Sequence, residues 1–157
     1  GFDAARYDWV FFTDGDLQFK LAQIKKFVAQ AERFSVVIGY RRRRADGGIR
    51  AANARLFKLY IDILFRLHVT DIDCAFKLFK RSVLQQVKLE STGAFTSSEL
   101  LYKLKKHGVV WKQLPVDHLP RQFGNPTGNH PRVVIKAGIE ALQLYVYMKL
   151  QSLRHRI

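Results

Sequence analysis

Short apolar runs that favour extended backbone alternate in this chain with segments whose apolar residues recur at helical spacing. That alternation limits the possible folds more than any other feature. Tyr7 to Thr13 (YDWVFFT) is rich in Trp, Val and Phe and reads as a buried strand. Leu21 to Arg33 places Leu21, Ile24, Phe27, Val28 and Ala31 at helical spacing. Ser35 to Gly39 (SVVIG) is a second short buried strand, followed by a basic, glycine-containing loop from Tyr40 to Arg50 (YRRRRADGGIR). Ala51 to Leu67 is expected to be a long helix with Leu56, Leu59, Tyr60, Ile63 and Leu67 on one side. Ala75 to Phe79 (AFKLF) alternates apolar and polar residues, as a strand does. Thr96-Ser97-Ser98-Glu99 has the form of a capping box, opening a helix that stops near Gly108. Val109 to Val116 (VVWKQLPV) is a further strand. His118 to Pro131 is a loop with three of the four prolines, and Pro131 suits the first position of a last helix reaching about Leu153. Strands alternating with helices predict an α/β fold.

A length of 157 residues suits one domain with a real core, and 48% hydrophobic residues exclude a disordered chain. Lys and Arg number 27 against 13 acids, a net charge of +14, which predicts an anionic partner: nucleic acid, a phosphorylated ligand or an acidic membrane surface. Cys74 stands alone, so no internal disulfide forms, which fits a reducing compartment; it is expected to be a small buried core residue. No apolar run approaches the length of a membrane span. The chain starts at Gly1, and a missing true N-terminus is expected.

The first strand runs directly into Asp14-Gly15-Asp16-Leu17-Gln18. In open α/β sheets, ligands bind beyond the carboxyl ends of strands. Two carboxylates one residue apart repel each other and favour a shared cation. Hard oxygen ligands select Mg²⁺ or Mn²⁺, with Gln18 adding an oxygen on the same side. The competing reading is purely structural, with Asp14 and Gly15 in a turn and Asp16 capping the next helix. A DxD after an apolar strand also occurs in haloacid-dehalogenase-like phosphatases, where the first Asp is a nucleophile. Here Leu17-Gln18 follows instead, and no later Asp-Asp pair supplies a second ligand set.

The order of motifs says more than any one of them. FFTDGDLQ is followed by SVVIGYR, then TDIDCAFKLFKR, then SSELLYKLKKHG, then LPVDHLPRQFGNPTG. This series, over about residues 5–130, resembles the family 2 glycosyltransferases of the GT-A fold, a mixed α/β sheet flanked by helices. It is most similar to the branch that moves sugars onto polyprenyl phosphates, the dolichol-phosphate-mannose-synthase-like enzymes. In that branch the acidic motif often reads D-A-D-L-Q, the next strand ends in G-S-R (here Gly39-Tyr40-Arg41), and a later segment reads D-x-x-C-G-F-K-L-F (here Asp71 to Phe79). Ala75 replaces the usual Gly, and Pro126 stands where Ser is common. The family's opening strand, ending in P-x-Y-N-E, and its base-recognition motif have no counterpart here. On the resemblance, residues 1–130 are therefore the C-terminal portion of a GT-A catalytic domain incomplete at its N-terminus.

The resemblance implies an inverting, metal-dependent glycosyltransferase. It implies a UDP- or GDP-linked sugar as donor, a polyprenyl phosphate as acceptor, and a place at the cytoplasmic face of a membrane. Asp14 and Asp16 would hold the metal and the donor diphosphate, with Gln18 as a third metal ligand and Asp16 central to catalysis. Arg121 and Gly124 would close a loop over the diphosphate. Arg41, Arg43 and Arg50 are the candidates for the acceptor phosphate, which guanidinium grips bidentately. Asp71 would orient acceptor or sugar, a helix-ending turn being the alternative; Glu99 would either cap its helix or contact sugar or acceptor. His118 is expected to support its loop. Residues 131–157 form an amphipathic helix with Val134, Ala137, Ala141, Leu144, Tyr145, Met148 and Leu150 among basic residues, suited either to a membrane interface or to packing on the sheet. A glycan acceptor is the main alternative. A nucleic-acid-binding module rests on charge alone, with no motif to support it, and no nucleic acid is expected.

Overall fold

The computed structural model describes residues 2–42, 48–91, 93–120 and 131–154. Four strands form one mixed sheet: β1 (Trp9–Thr13), β2 (Val36–Arg41), β3 (Phe76–Lys80) and β4 (Trp111–Val116), in the order β1-β3-β2-β4. β3 is antiparallel to both of its neighbours, while β2 and β4 run parallel. The helices are α1 (Ile24–Val28), α2 (Gly48–Phe65), α3 (Arg81–Leu84), α4 (Thr96–Lys106) and α5 (Pro131–Arg154). The α/β expectation is met, and each expected strand is present.

Alternate residues of the inner strands feed two cores. Val36, Ile38 and Phe79 point to one face, where Ile61 and Phe65 of α2, Leu100, Leu101 and Leu104 of α4, and Ala137, Ala141 and Leu144 of α5 cover them. Val37, Phe76 and Leu78 point to the other face, under Phe27 of α1 and Phe19. Gly39 allows β2 and β3 to meet. A Cβ there would lie 2.8 Å from the Phe76 carbonyl oxygen and 3.2 Å from Cys74 Sγ, and no side chain fits without moving backbone.

Several local expectations change. The helix expected over residues 21–33 is a 3₁₀ turn at Leu21–Gln23 followed by the five residues of α1. Beyond it the chain continues as turns, with Gln30 N–H donating to Phe27 O and Ala31 N–H to Val28 O. Only Phe27 is fully buried in α1, while Leu21 and Val28 are exposed, so little packing holds a longer helix. β1 and β2 pair with both edges of β3 and a core packs on each of its faces, so the polar position Lys77 is buried as deeply as its apolar neighbours.

Of the five residues expected on one side of the segment from Ala51 to Leu67, Leu67 is buried and Tyr60 packs on the core, but the other three do not. Leu56, Leu59 and Ile63 are 66%, 57% and 69% exposed, while Ile61 and Phe65 carry the core contact. The helix ends without glycine: Arg66 and His68 adopt φ of 51° and 52°, and the Asp62 carboxylate accepts the His68 N–H at 3.1 Å. α5 buries Ala137, Ala141 and Leu144 of the stripe seen in the sequence in the first core, whereas Leu150 of that stripe is exposed. Tyr60 OH donates to Gly138 O at 2.9 Å and joins α2 to α5. A second stripe on α5, Ile135, Ile139, Leu142, Val146 and Leu150, faces outward. Among the described residues, no helix is long and apolar enough to cross a membrane.

Candidate active site

β1 delivers its chain into a tight acidic turn. Leu17 takes a left-handed φ of 58°, uncommon for a bulky residue, and the chain turns so that Gln18 N–H donates to Asp16 Oδ1 at 3.2 Å. Gln18 is buried, and its Nε2 donates to Leu119 O at 3.0 Å while Leu119 N–H returns to Gln18 O at 2.8 Å. A carbonyl can only accept, so the amide nitrogen of Gln18 is the end spent on Leu119. Asp14, Asp16 and Gln18 line one cavity of about 720 Å³ that also receives Arg41, Asp73, Lys77 and His118.

Arg41 is the last residue of β2, not part of a basic loop. Its backbone N–H and its Nε donate to Asp71 Oδ2 at 3.2 and 2.6 Å, and its Nη2 donates to Asp71 Oδ1 at 2.8 Å. Side-chain exposure is 10% for Arg41 and 6% for Asp71, so the pair sits within the protein. Burial works against the Arg41 charge, but the Asp71 carboxylate outweighs it and raises the guanidinium pKa above its ordinary value. Arg41 reaches the cavity lining, whereas Asp71 lies behind it as its partner. Asp71 therefore meets the cavity through Arg41.

Glu99 is committed elsewhere. The capping box expected from Thr96 and Glu99 does not form, because the residue before the helix is Phe95, which offers no side-chain cap. The Glu99 carboxylate instead accepts the backbone N–H of Glu90 at 2.9 Å and of Ser91 at 2.8 Å, the Ser91 hydroxyl at 2.5 Å, and Lys103 Nζ at 2.7 Å. Burial would raise its pKa, but Lys103 and the Ser91 and Glu90 donors lower it below the ordinary value. Thr96 Oγ1 donates to Gly93 O at 2.8 Å. Glu99 is thus a clasp on the residue 90–91 segment; its neighbours Thr96, Ser97 and Leu100 line the cavity, while Glu99 itself does not.

Arg43, Arg121 and Gly124 lie outside the described residues, as does the side chain of Arg50 on α2. His118 sits edge-on to Phe19 at 5.3 Å and pairs with it across an isolated β-bridge. Cys74 is fully buried as expected, and burial pushes its thiol pKa up to about 12, so it is no nucleophile.

Two charged residues of the cavity lining escape the sequence reading. Lys77 is 1% exposed, and its Nζ donates to Ile72 O at 3.1 Å and Cys74 O at 2.6 Å. Asp73, two residues past Asp71, is exposed at the cavity. The signal for Lys77 is a lysine at an interior position of β3, whose other lysine, Lys80, ends the strand. A resemblance at the motif level hid Asp73, whose position is variable in the family segment D-x-x-C.

Among the described residues, no three His, Cys, Asp or Glu side chains converge as a ready metal cage. The donor set present still fits Mg²⁺ or Mn²⁺. Asp14 and Asp16 line the same cavity with oxygen ligands only, and such ions are held by one or two carboxylates together with substrate phosphates.

Residues 1–88 match the family model described as Glycosyl transferase family 2. The chain is 24% identical over 135 residues to the undecaprenyl-phosphate 4-deoxy-4-formamido-L-arabinose transferase of Pseudomonas fluorescens, covering 85% of this chain and 39% of that protein. It is 30% identical over 92 residues to the dodecaprenyl-phosphate galacturonate synthase of Rhizobium johnstonii, covering 57% of this chain and 27% of that protein. The chain thus spans well under half the length of these relatives. The crystal structure of mannosyl-3-phosphoglycerate synthase from Rubrobacter xylanophilus superposes with a TM-score of 0.61 at 16% identity, over 99% of this chain and 50% of that one. The likeness is one of fold: the mixed α/β sheet flanked by helices that the GT-A expectation described.

Proposed function

The chain belongs to glycosyl transferase family 2, and on that premise we propose that the protein moves a sugar from a UDP- or GDP-linked donor to a polyprenyl phosphate, in an inverting reaction that needs Mg²⁺ or Mn²⁺. The two relatives named above, a polyprenyl-phosphate sugar transferase and a polyprenyl-phosphate sugar synthase, support the acceptor class. The observation that carries the reading is the meeting of acids and a cation in one cavity: Asp14 and Asp16 from the end of β1 and Arg41 from the end of β2.

Two anions must meet in this reaction, a nucleotide diphosphate and a lipid phosphate. Asp14 and Asp16, with Gln18 beside them, would hold the divalent ion, which offsets the charge growing on the leaving diphosphate. Arg41 supplies a fixed cation for the acceptor phosphate, and Asp71 holds its guanidinium in one orientation. The acceptor oxygen is already anionic, so it attacks the anomeric carbon without a strong general base. It approaches opposite the departing diphosphate, which inverts that centre.

The outward stripes of α2 and α5 support a place on the cytoplasmic membrane face. Leu56, Leu59 and Ile63 lie on one helix, and Ile135, Ile139, Leu142, Val146 and Leu150 on its neighbour, beside exposed Arg132, Lys136 and Lys149. Apolar side chains flanked by cations suit an anionic bilayer surface.

The test uses membranes carrying the complete protein, given labelled nucleotide sugar and polyprenyl phosphate, with Mn²⁺ or with EDTA. Metal-dependent label in the lipid fraction, lowered by at least about a hundredfold in Asp16→Ala, is the expected result. Transfer to a soluble glycan in place of lipid would replace the acceptor; absence of metal-dependent transfer from any donor would refute the reading.

A further inference from the structure

Lys77 is a buried ammonium that the reaction described above does not require. A lone charge inside a protein costs several kcal/mol unless it is well hydrogen-bonded, and a bonded one seldom stabilises more than an apolar residue of the same shape. A methionine would fill this position in β3, between Phe12 of β1 and Ile38 of β2 in register, without that cost. The reason for a lysine is found in what its Nζ holds.

Both of its short bonds go to one turn. Residues 71–74 fold back on themselves with Cys74 N–H donating to Asp71 O at 3.3 Å, and Lys77 Nζ takes the carbonyls of Ile72 and Cys74 from beneath. A third, longer contact reaches Ser97 Oγ at 3.5 Å on the first turn of α4, and the Phe12 ring lies 5.7 Å away. With those carbonyls tied down, the two acids of the turn diverge. Asp71 meets Arg41, and Asp73 faces the cavity.

We propose that Lys77 is a positioning residue for the acceptor side of the site: by anchoring the carbonyls of Ile72 and Cys74 it sets Asp71, and through it Arg41, in the orientation that receives the acceptor phosphate. The part that concerns the acceptor rests on the transfer reading above; the anchoring of the turn does not. Burial pulls the Lys77 pKa down, while Cys74, Asp73, Asp71 and Asp14 act in the opposite sense.

The experiment compares the full chain with Lys77→Met and Lys77→Arg, the second keeping both charge and donors. Amide hydrogen exchange over residues 70–75 and at Arg41 is followed by mass spectrometry or NMR, with β4 as the internal reference. In Lys77→Met, exchange of the turn and of the Arg41 amide is expected to rise at least about tenfold while β4 is unchanged. The acceptor KM rises by about tenfold and the donor KM by less than about twofold, and Lys77→Arg recovers most of both effects. Unchanged exchange in the turn overturns the proposal. So does an equal rise in β4, which would make Lys77 a general core residue, or a donor KM that rises with the acceptor KM. If the wild-type protein transfers no sugar, the transfer reading fails, and the exchange comparison still decides whether Lys77 anchors the turn.

Discussion

At the scale of single residues, opposite charges decide what each carboxylate can do. Asp14 and Asp16 open into the cavity, Asp71 is held by Arg41, and Glu99 is spent on two backbone N–H groups, a hydroxyl and a lysine. Glu99 therefore contributes to folding. Its pKa lies below the ordinary 4.5 in the folded state, so the unfolded chain binds the proton more readily. The stabilisation is complete above about pH 4.5 and is lost as pH falls through the folded-state value. Glu99→Gln is expected to lower stability at neutral pH by about 1–3 kcal/mol in urea unfolding, and to flatten the loss of stability below about pH 4.5. An unchanged acid limb would remove Glu99 from this role. The acids of the first turn were legible because an apolar strand ended in them. The partners of Asp71 and Glu99 were not, since Arg41 lies 30 residues from Asp71 and the Glu99 clasp depends on the path of the segment 90–91. Lys77 was hidden for the same reason: alternation along β3 shows which residues share a face, but not that both faces are covered.

At the scale of the element, α2 shows how periodicity can be right and its direction wrong. The stripe of Leu56, Leu59 and Ile63 is real in the sequence, yet the helix packs through Ile61 and Phe65. Spacing alone cannot say which of two apolar faces meets the sheet. Ile61→Ala should cost about 2–4 kcal/mol in urea unfolding and Ile63→Ala less than about 1 kcal/mol, because only the first opens a cavity. Equal costs would return Ile63 to the core. The outward stripes of α2 and α5 predict a membrane role. Replacing Leu56, Leu59 and Ile63 together with Ser should leave the fold intact and weaken flotation with anionic vesicles by at least about tenfold. Flotation equal to that of the wild type would separate this face from the bilayer. α5 was read in part: its core stripe was visible, while the second, outward stripe blended into an apolar helix.

At the scale of the whole molecule, one sheet brings to one cavity residues that lie far apart in sequence. β1 and β2 run in the same direction with the antiparallel β3 between them. The carboxyl ends of β1 and β2 therefore open on one side, which places the acids of one beside the arginine of the other. The net charge of +14 favours the approach of anionic ligands to the protein as a whole. Alternation of strands and helices made the layered architecture legible; the order of the strands, and so the neighbours in the cavity, depends on long-range pairing that no local pattern encodes. On the proposed function, the acids ending β1 hold a divalent ion together with a nucleoside diphosphate. The most direct measurement is Mn²⁺ binding to the full chain followed by electron paramagnetic resonance, with and without UDP or GDP, for the wild type, Asp14→Asn and Asp16→Asn. Mn²⁺ binding is expected to be tightened at least about tenfold by one of the two nucleotides and lost in both variants. Mn²⁺ binding that ignores the nucleotides and survives both substitutions would contradict the proposed function.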